Sequence, residues 1–288
     1  MRGEEIRRIA VVGAGIMGTG IAQLFAGFGF DVAQADVSEA ALARSRERIR
    51  HDLEKLLAKG RVSEGDVHAT LDRIRQTAEL GEAVGGADFV IEAVTENLET
   101  KQKVFDAASR ACASGAILAT NTSILSPTEI ASVARRPERC IGMHFFNPAP
   151  LMGLVEVVPG VLTVPETVEA TKALAARVGK TPVVVKESPG GIVSRIMIAM
   201  RNEAVDILAE GIASAEDIDA AMRLGGGFPI GPLALIDLVG LDVHVTNSDA
   251  MVRETGNLKY RPHPLLRKMV RAGLLGRKTG RGFYTHEQ

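Results

Sequence analysis

The chain has 288 residues, enough for one large domain or two moderate ones. Apolar residues make up 46% and the formal net charge is −1, which predicts a substantial core and excludes an overall basic field for nucleic acid. No run is apolar enough to span a bilayer, the first residues carry no hydrophobic targeting stretch, and no Cys/His cluster has metal-ligand spacing. The expectation is a metal-free cytoplasmic protein. Cys112 and Cys140, the two cysteines, could pair in principle but read as reduced, buried small hydrophobes.

The first predicted strand, 8–12, runs into Gly13-Ala14-Gly15-Ile16-Met17-Gly18, and a helical pattern follows over 16–29. A second strand, 31–36, ends in Asp36. In this context the GxGxxG run reads as a dinucleotide turn. Gly13 lets the chain turn tightly, Gly15 lets backbone N–H groups approach a pyrophosphate, and Gly18 lets the helix pack close to the sheet. The helix N-terminus stabilises the phosphate charge. Asp36 would accept from both ribose hydroxyls and repel a 2′-phosphate, favouring NAD over NADP.

Next come a helix over 40–59 and a shorter one opened by Ser63-Glu64-Gly65-Asp66, forming a helical hairpin (39–71) that projects from the domain. Its first arm carries Arg44, Arg46, Arg48, Arg50, Lys55 and Lys59, by count alone a solvated face. Strands at 73–77, 89–94, 116–120, 140–146, 154–158 and 182–186 alternate with helices at 99–113, 127–134 and 166–178. This alternation predicts an α/β fold, a Rossmann-type doubly wound, mainly parallel sheet with ligands at its strands' carboxyl ends.

After 187 the strand pattern stops. Val193, Ile196, Met197, Met200, Ala204, Ile207 and Leu208 form one apolar helical stripe, Gly211 ends that helix, and Ser214 caps the next. Further helical segments follow Gly231-Pro232 and Pro264. The domains are therefore placed at 1–187 and 188–288, the second smaller and all-helical. Its long apolar faces predict a homodimer.

Two polar clusters close predicted strands on the ligand edge: Thr120-Asn121-Thr122-Ser123 and His144-Phe145-Phe146-Asn147-Pro148. Twelve residues past His144, Glu156 sits within Leu154-Val155-Glu156-Val157-Val158, where a carboxylate is costly to bury without a partner. Alcohol oxidation by NAD needs a base for the hydroxyl proton, and histidine suits that task. A carboxylate behind the ring would fix its tautomer and stabilise the imidazolium. Ser123 could hydrogen-bond the substrate oxygen.

These motifs resemble the NAD-dependent L-3-hydroxyacyl-CoA dehydrogenases, including the 3-hydroxybutyryl-CoA dehydrogenases, over nearly the whole chain. The resemblance also runs through Glu92-Ala-Val-Thr-Glu-Asn97, Gly225–Pro232 and Lys278-Thr-Gly-Arg-Gly-Phe-Tyr284. It implies a Rossmann-type domain plus a helical dimerisation domain, and reversible hydride transfer between NAD and C3 of an L-3-hydroxyacyl-CoA. By position it makes His144 the catalytic base, Glu156 its paired acid, and Ser123 a contact of the 3-oxygen and nicotinamide. Glu96, Lys101, Asn147 and Lys278 line the NAD site, Asp36 binds the ribose, and Lys59 contacts the CoA phosphates. Ser194 stands where many members have a substrate-side asparagine, and Asp52 where some use serine against CoA. Two alternatives keep the scaffold: a dehydrogenase of a free hydroxy acid, gulonate- or carnitine-type, or a catalytically weak dinucleotide-binding protein.

Overall fold

The computed structural model describes residues 3–287 and divides into two compact units, Met1–Ser188 and Pro189–Gln288. The first unit is an eight-stranded sheet: β1 (Arg8–Val12), β2 (Asp31–Ala35), β3 (Ile74–Thr77), β4 (Phe89–Glu92), β5 (Ile117–Thr120), β6 (Cys140–Phe145), β7 (Leu154–Pro159) and β8 (Thr181–Val184). The order is β3-β2-β1-β4-β5-β6-β7-β8. All neighbours are parallel except β6 and β7, which run antiparallel. Strand order reverses between β1 and β4, the place where a doubly wound sheet opens a ligand crevice.

Alternation along the strands feeds two apolar layers. Ile9, Val11, Phe89, Ile91, Ile117, Met143 and Phe145 pack on one side with Ile21 and Phe25 of α1 (Ile16–Gly27). Ala10, Val12, Val90, Leu118 and Cys140 pack on the other with Val84, Phe105 and Ile130. Those three belong to α4 (Leu80–Val84), α5 (Leu98–Ala111) and α6 (Pro127–Ala131). A further helix, α7 (Pro165–Arg177), adds Leu174 and Ala175 to the first layer.

The hairpin is α2 (Glu39–Ala58) and α3 (Glu64–Asp72). Ser38 caps α2, Gly60 turns at φ +63, and Ser63 and Asp66 form a reciprocal capping box on α3. It does not project freely, as the sequence suggested. Ile49, Leu53 and Val67 join the first core layer, because the stripe at Leu42, Ser45, Ile49 and Leu53 needs cover.

The second unit holds α8 (Val193–Ala209), α9 (Ala215–Leu224), α10 (Pro232–Val239), α11 (Leu241–Thr255) and α12 (Pro264–Arg271) around Ala204, Val205, Ile218, Leu233, Ile236, Leu241 and Leu266. Two carboxylates organise it. Asp219 accepts from Leu233 N (2.8 Å) and Ala234 N (2.9 Å) and so caps α10. Asp237 accepts from Phe283 N and Tyr284 N, each at 2.9 Å.

The structure adds one element and corrects two readings of the sequence. The added element is α4, which has too few residues for a periodic signal. The segment after Gly231-Pro232 is two helices, because Gly240 at φ +105 breaks the run. The buried face of α8 is Ile198, Arg201, Asn202, Ala204 and Val205; of the expected stripe, Ala204, Ile207 and Leu208 pack on the core, whereas Ile196 is 61% exposed. Polar residues occupy that face because Asn202 Oδ1 accepts from His244 Nε2 at 2.9 Å. Asn202 Nδ2, His244 Nδ1 and Ser248 Oγ have no partner among the described residues.

Burial, reinforced by the nearby Arg201 charge, pulls the His244 imidazole down to about 3. The neutral ring is therefore the form the fold accepts. Its stabilising contribution is present above pH 6.5, the unfolded value, and is lost as pH falls toward 3, at up to about 1.4 kcal/mol per unit. His244→Gln keeps an amide donor without titrating. Its urea-unfolding free energy should change less steeply between pH 6.5 and 4.5 than that of the parent; equal slopes would show that His244 does not carry the acid sensitivity.

Candidate active site

The glycine turn leaves β1 and enters α1, and the space around it matches each glycine's expected task. Gly13 has φ +116, and a Cβ there would meet the Ala93 carbonyl oxygen at 2.5 Å. A Cβ on Gly18 would lie 2.0 Å from Gly13 O, so only glycine lets α1 sit this close. Around Gly15 a Cβ meets nothing within 4 Å. That space belongs to a cavity of about 590 Å³ lined by Gly13–Ile16, Asp36, Val37, Val94 and Thr95 among others.

Asp36 bridges the turn. Its Oδ2 accepts from Ala14 N at 2.8 Å and its Oδ1 from Ser38 N at 2.9 Å, leaving lone pairs toward the cavity that contains it. Beneath the turn runs a buried polar chain that the sequence did not reveal. Thr19 Oγ1 donates to Ser45 Oγ (2.9 Å), Ser45 Oγ donates to Gln34 Oε1 (2.9 Å), and Gln34 Nε2 donates to Gly13 O (3.4 Å). Its one sequence signal is Gln34, a polar residue within a strand otherwise built for burial. The turn, the acid and the open space fit a dinucleotide: N–H groups for a pyrophosphate, a carboxylate for a ribose diol, and apolar walls.

The second polar centre lies across β4, β5 and α5. Lys101 is fully buried, with Nζ 2.8 Å from Glu92 Oε1 and 3.4 Å from Glu96 Oε2. Burial raises the Glu92 carboxyl's pKa while the Lys101 charge opposes the rise. Glu92 Oε1 also accepts from Val94 N (2.7 Å), which ends β4 two residues before the expected boundary, and its Oε2 accepts from Thr120 Oγ1 (2.6 Å). Glu96 Oε1 accepts from Thr122 Oγ1 (2.5 Å) and Ser123 N (3.0 Å). Farther along the same loop, Glu187 accepts from the Ser126 and Thr128 hydroxyls. The Ser123 loop is thus held by one carboxylate at each end. Glu187 was not anticipated, and Thr120 and Glu92 entered only within motifs, without roles of their own; the acid in the apolar run Phe89–Glu92 was the available clue.

The third centre is the antiparallel pair β6/β7, whose register sets His144 directly opposite Glu156. Nδ1 of His144 lies 2.9 Å from Glu156 Oε2; Glu156 is 1% exposed and His144 8%. A carboxylate accepts, so the ring carries its proton on Nδ1 and Nε2 keeps a lone pair. Phe146 packs 4.5 Å from the imidazole, centroid to centroid. Asn121 Oδ1 accepts from Phe145 N at 3.0 Å, tying the Ser123 loop to the histidine strand. Asn147 is exposed just past β6.

The remaining predicted residues belong to other elements. Lys59 is the exposed C-cap of α2, and Asp52 is half-buried on the same helix. Ser194 stands in the first turn of α8 in the second unit. Lys278, also in the second unit, holds both oxygens of Asp242 at 2.6 Å. Cys112 and Cys140 are unpaired by any disulfide, and burial pushes the Cys140 thiol up to about 12. No metal-binding group of His, Cys, Asp and Glu occurs, and no helix is long and apolar enough to cross a membrane, among the described residues.

Comparison with known proteins finds relatives over nearly the whole chain. Residues 8–188 match the family model of the 3-hydroxyacyl-CoA dehydrogenase NAD binding domain, and residues 190–286 that of its C-terminal domain. The probable 3-hydroxybutyryl-CoA dehydrogenase of Bacillus subtilis is 46% identical over 284 residues, covering 99% of each chain. The 3-hydroxybutyryl-CoA dehydrogenase of Clostridioides difficile is 46% identical over 281 residues, 98% of this chain and 100% of that one. The crystal structure of (S)-3-hydroxybutyryl-CoA dehydrogenase from Ralstonia eutropha superposes with a TM-score of 0.93 at 44% identity, covering 99% of this chain and 100% of the other. From glycine turn to C-terminal helices, the chain belongs to the 3-hydroxyacyl-CoA dehydrogenase family.

Proposed function

We propose that this protein transfers hydride reversibly between NAD and C3 of an L-3-hydroxyacyl-CoA, with His144 as base and acid. The observation that carries the reading is the buried His144–Glu156 pair at 2.9 Å, on the edge of the sheet where the glycine turn and Asp36 also lie. Bound NAD supplies the two-electron acceptor for the hydride that leaves C3. Nε2 of His144 takes the hydroxyl proton, the C3–O bond becomes a carbonyl, and 3-oxoacyl-CoA results. Glu156 keeps Nδ1–H in place throughout and stabilises the imidazolium, whose proton returns when the reaction reverses. Ser123, its backbone N–H spent on Glu96, offers its hydroxyl to the 3-oxygen.

Asp36 and the Gly13–Gly18 turn hold the cofactor's adenosine and pyrophosphate, with Glu96 and Asn147 at the nicotinamide end. Lys101 acts from below. With its side chain fully buried, it neutralises Glu92 and Glu96 and so sets the Ser123 loop. The resemblance extends to Lys59 toward CoA phosphates, and to Ser194 and Lys278 in the second unit. We place the protein in the cytoplasm as a homodimer formed through the second unit. Its exposed Ile196, Leu224, Leu238 and Leu258 support that assembly.

His144→Gln should keep NADH binding, followed by fluorescence titration, while acetoacetyl-CoA reduction falls roughly a hundred- to ten-thousand-fold. Turnover close to that of the parent would remove His144 from the proton transfer. Lys101→Met should lower stability by roughly 3–5 kcal/mol because it strands the Glu92 charge, and adding Glu92→Gln should restore most of it. A double variant as unstable as Lys101→Met would contradict that coupling. Sedimentation equilibrium at micromolar concentration should give twice the chain mass; a monomer would refute the dimer.

A further inference from the structure

The basic arm of α2 divides into two sets once its surroundings are known. Arg46 donates to Gln76 Oε1 (3.3 Å) and Arg50 to Glu47 (2.7 Å), so both are engaged away from the cavity. Arg44 and Arg48 line the cavity together with Gly13–Ile16 and Asp36. Both are exposed, and neither has an acidic or hydrogen-bonded partner among the described residues. They lie one helical turn apart on one face, where like charges repel unless an anion sits between them.

Helix geometry extends this face. At about 100° per residue, Arg44, Arg48, Lys55 and Lys59 fall within about 60° of one another and span roughly 22 Å along the axis. Asp52 falls at the stripe's margin. The buried residues Leu42, Ser45, Ile49 and Leu53 fix the helix's rotation and hence hold the basic stripe away from the core. The N-terminus of α1 already supplies donors for one diphosphate, so the two arginines constitute a separate cationic wall of the same cavity.

We propose that Arg44 and Arg48 form a second phosphate subsite, which takes a nucleotide diphosphate. Two ligands of the assigned reaction carry that group, the acyl-CoA and the dinucleotide, so the inference rests on that reading. A guanidinium forks onto phosphate oxygens with paired hydrogen bonds, and two of them one turn apart can straddle a diphosphate. The arm then functions as a rail, with nucleotide phosphates engaged at the cavity end as well as near Lys59.

The test combines calorimetric binding with kinetics. For Arg44→Gln/Arg48→Gln, Kd is measured for CoA alone and for NADH alone. KM is compared between acetoacetyl-CoA and acetoacetyl-N-acetylcysteamine, a thioester without a nucleotide. At least a tenfold weakening of CoA, with the truncated thioester unchanged, supports the subsite and assigns it to CoA. The same weakening confined to NADH supports it and assigns it to the dinucleotide. Both affinities within twofold of the parent's would overturn it. So would an equal loss in Arg46→Gln, which would mean a diffuse field rather than a subsite. Parent enzyme that reduces acetoacetyl-CoA while the double variant binds normally would refute only the subsite. A parent inert toward acetoacetyl-CoA would instead refute the assigned reaction.

Discussion

A carboxylate sits inside an apolar eight-stranded sheet, and one antiparallel strand pair makes it tolerable. Glu156 on β7 is almost wholly buried, and burying an unpaired acid there would be expensive. The β6/β7 register faces it with His144 at 2.9 Å. Each residue thereby justifies the other. The imidazole gives the anion a hydrogen bond, and the anion fixes which ring nitrogen keeps its lone pair. Had β7 continued the parallel pattern of β1 to β6, its slanted ladder would not set the two side chains opposite each other as the antiparallel register does.

The same economy recurs wherever the chain must hold an irregular segment still. Glu92 and Glu96 share Lys101, and spend their oxygens on Val94 N, Thr120 Oγ1, Thr122 Oγ1 and Ser123 N. In the second unit Asp219 and Asp237 take backbone N–H groups from α10 and from the Phe283-Tyr284 segment. Around Asp237, Gly282 has no room for a side chain: a Cβ would lie 2.1 Å from its Oδ1. Much of the Lys278–Tyr284 motif is therefore accounted for by packing onto one buried acid.

The sheet and its ligand edge were legible because their signals are local. Glycine spacing, short β-branched runs and capping residues each act within a few positions. His144 and Glu156 were legible as a pair because a strand acid among valines demands an explanation. Long-range satisfaction was not legible. Nothing in the order of residues says that Thr19 and Ser45 close a relay to Gln34, or that Lys101 is wholly enclosed. The buried face of α8 was legible in part, for a related reason. Ala204, Ile207 and Leu208 pack on the core as the stripe predicts, but Ile196 points outward and Asn202 turns inward to meet His244 of α11. Helix α2 shows the same limit: its arginines count alike in sequence, yet only Arg44 and Arg48 line the cavity.

Asp36 does two jobs with one side chain. In the proposed function it is the acid presented to a ribose, and through Ala14 N and Ser38 N it also ties the glycine loop to the start of α2. Cofactor preference and loop rigidity are consequently linked at a single position. Any redesign toward a phosphorylated ribose that merely deletes this charge would also unfasten the loop. A working replacement has to supply two new anchors for those amides before it can welcome a different nucleotide.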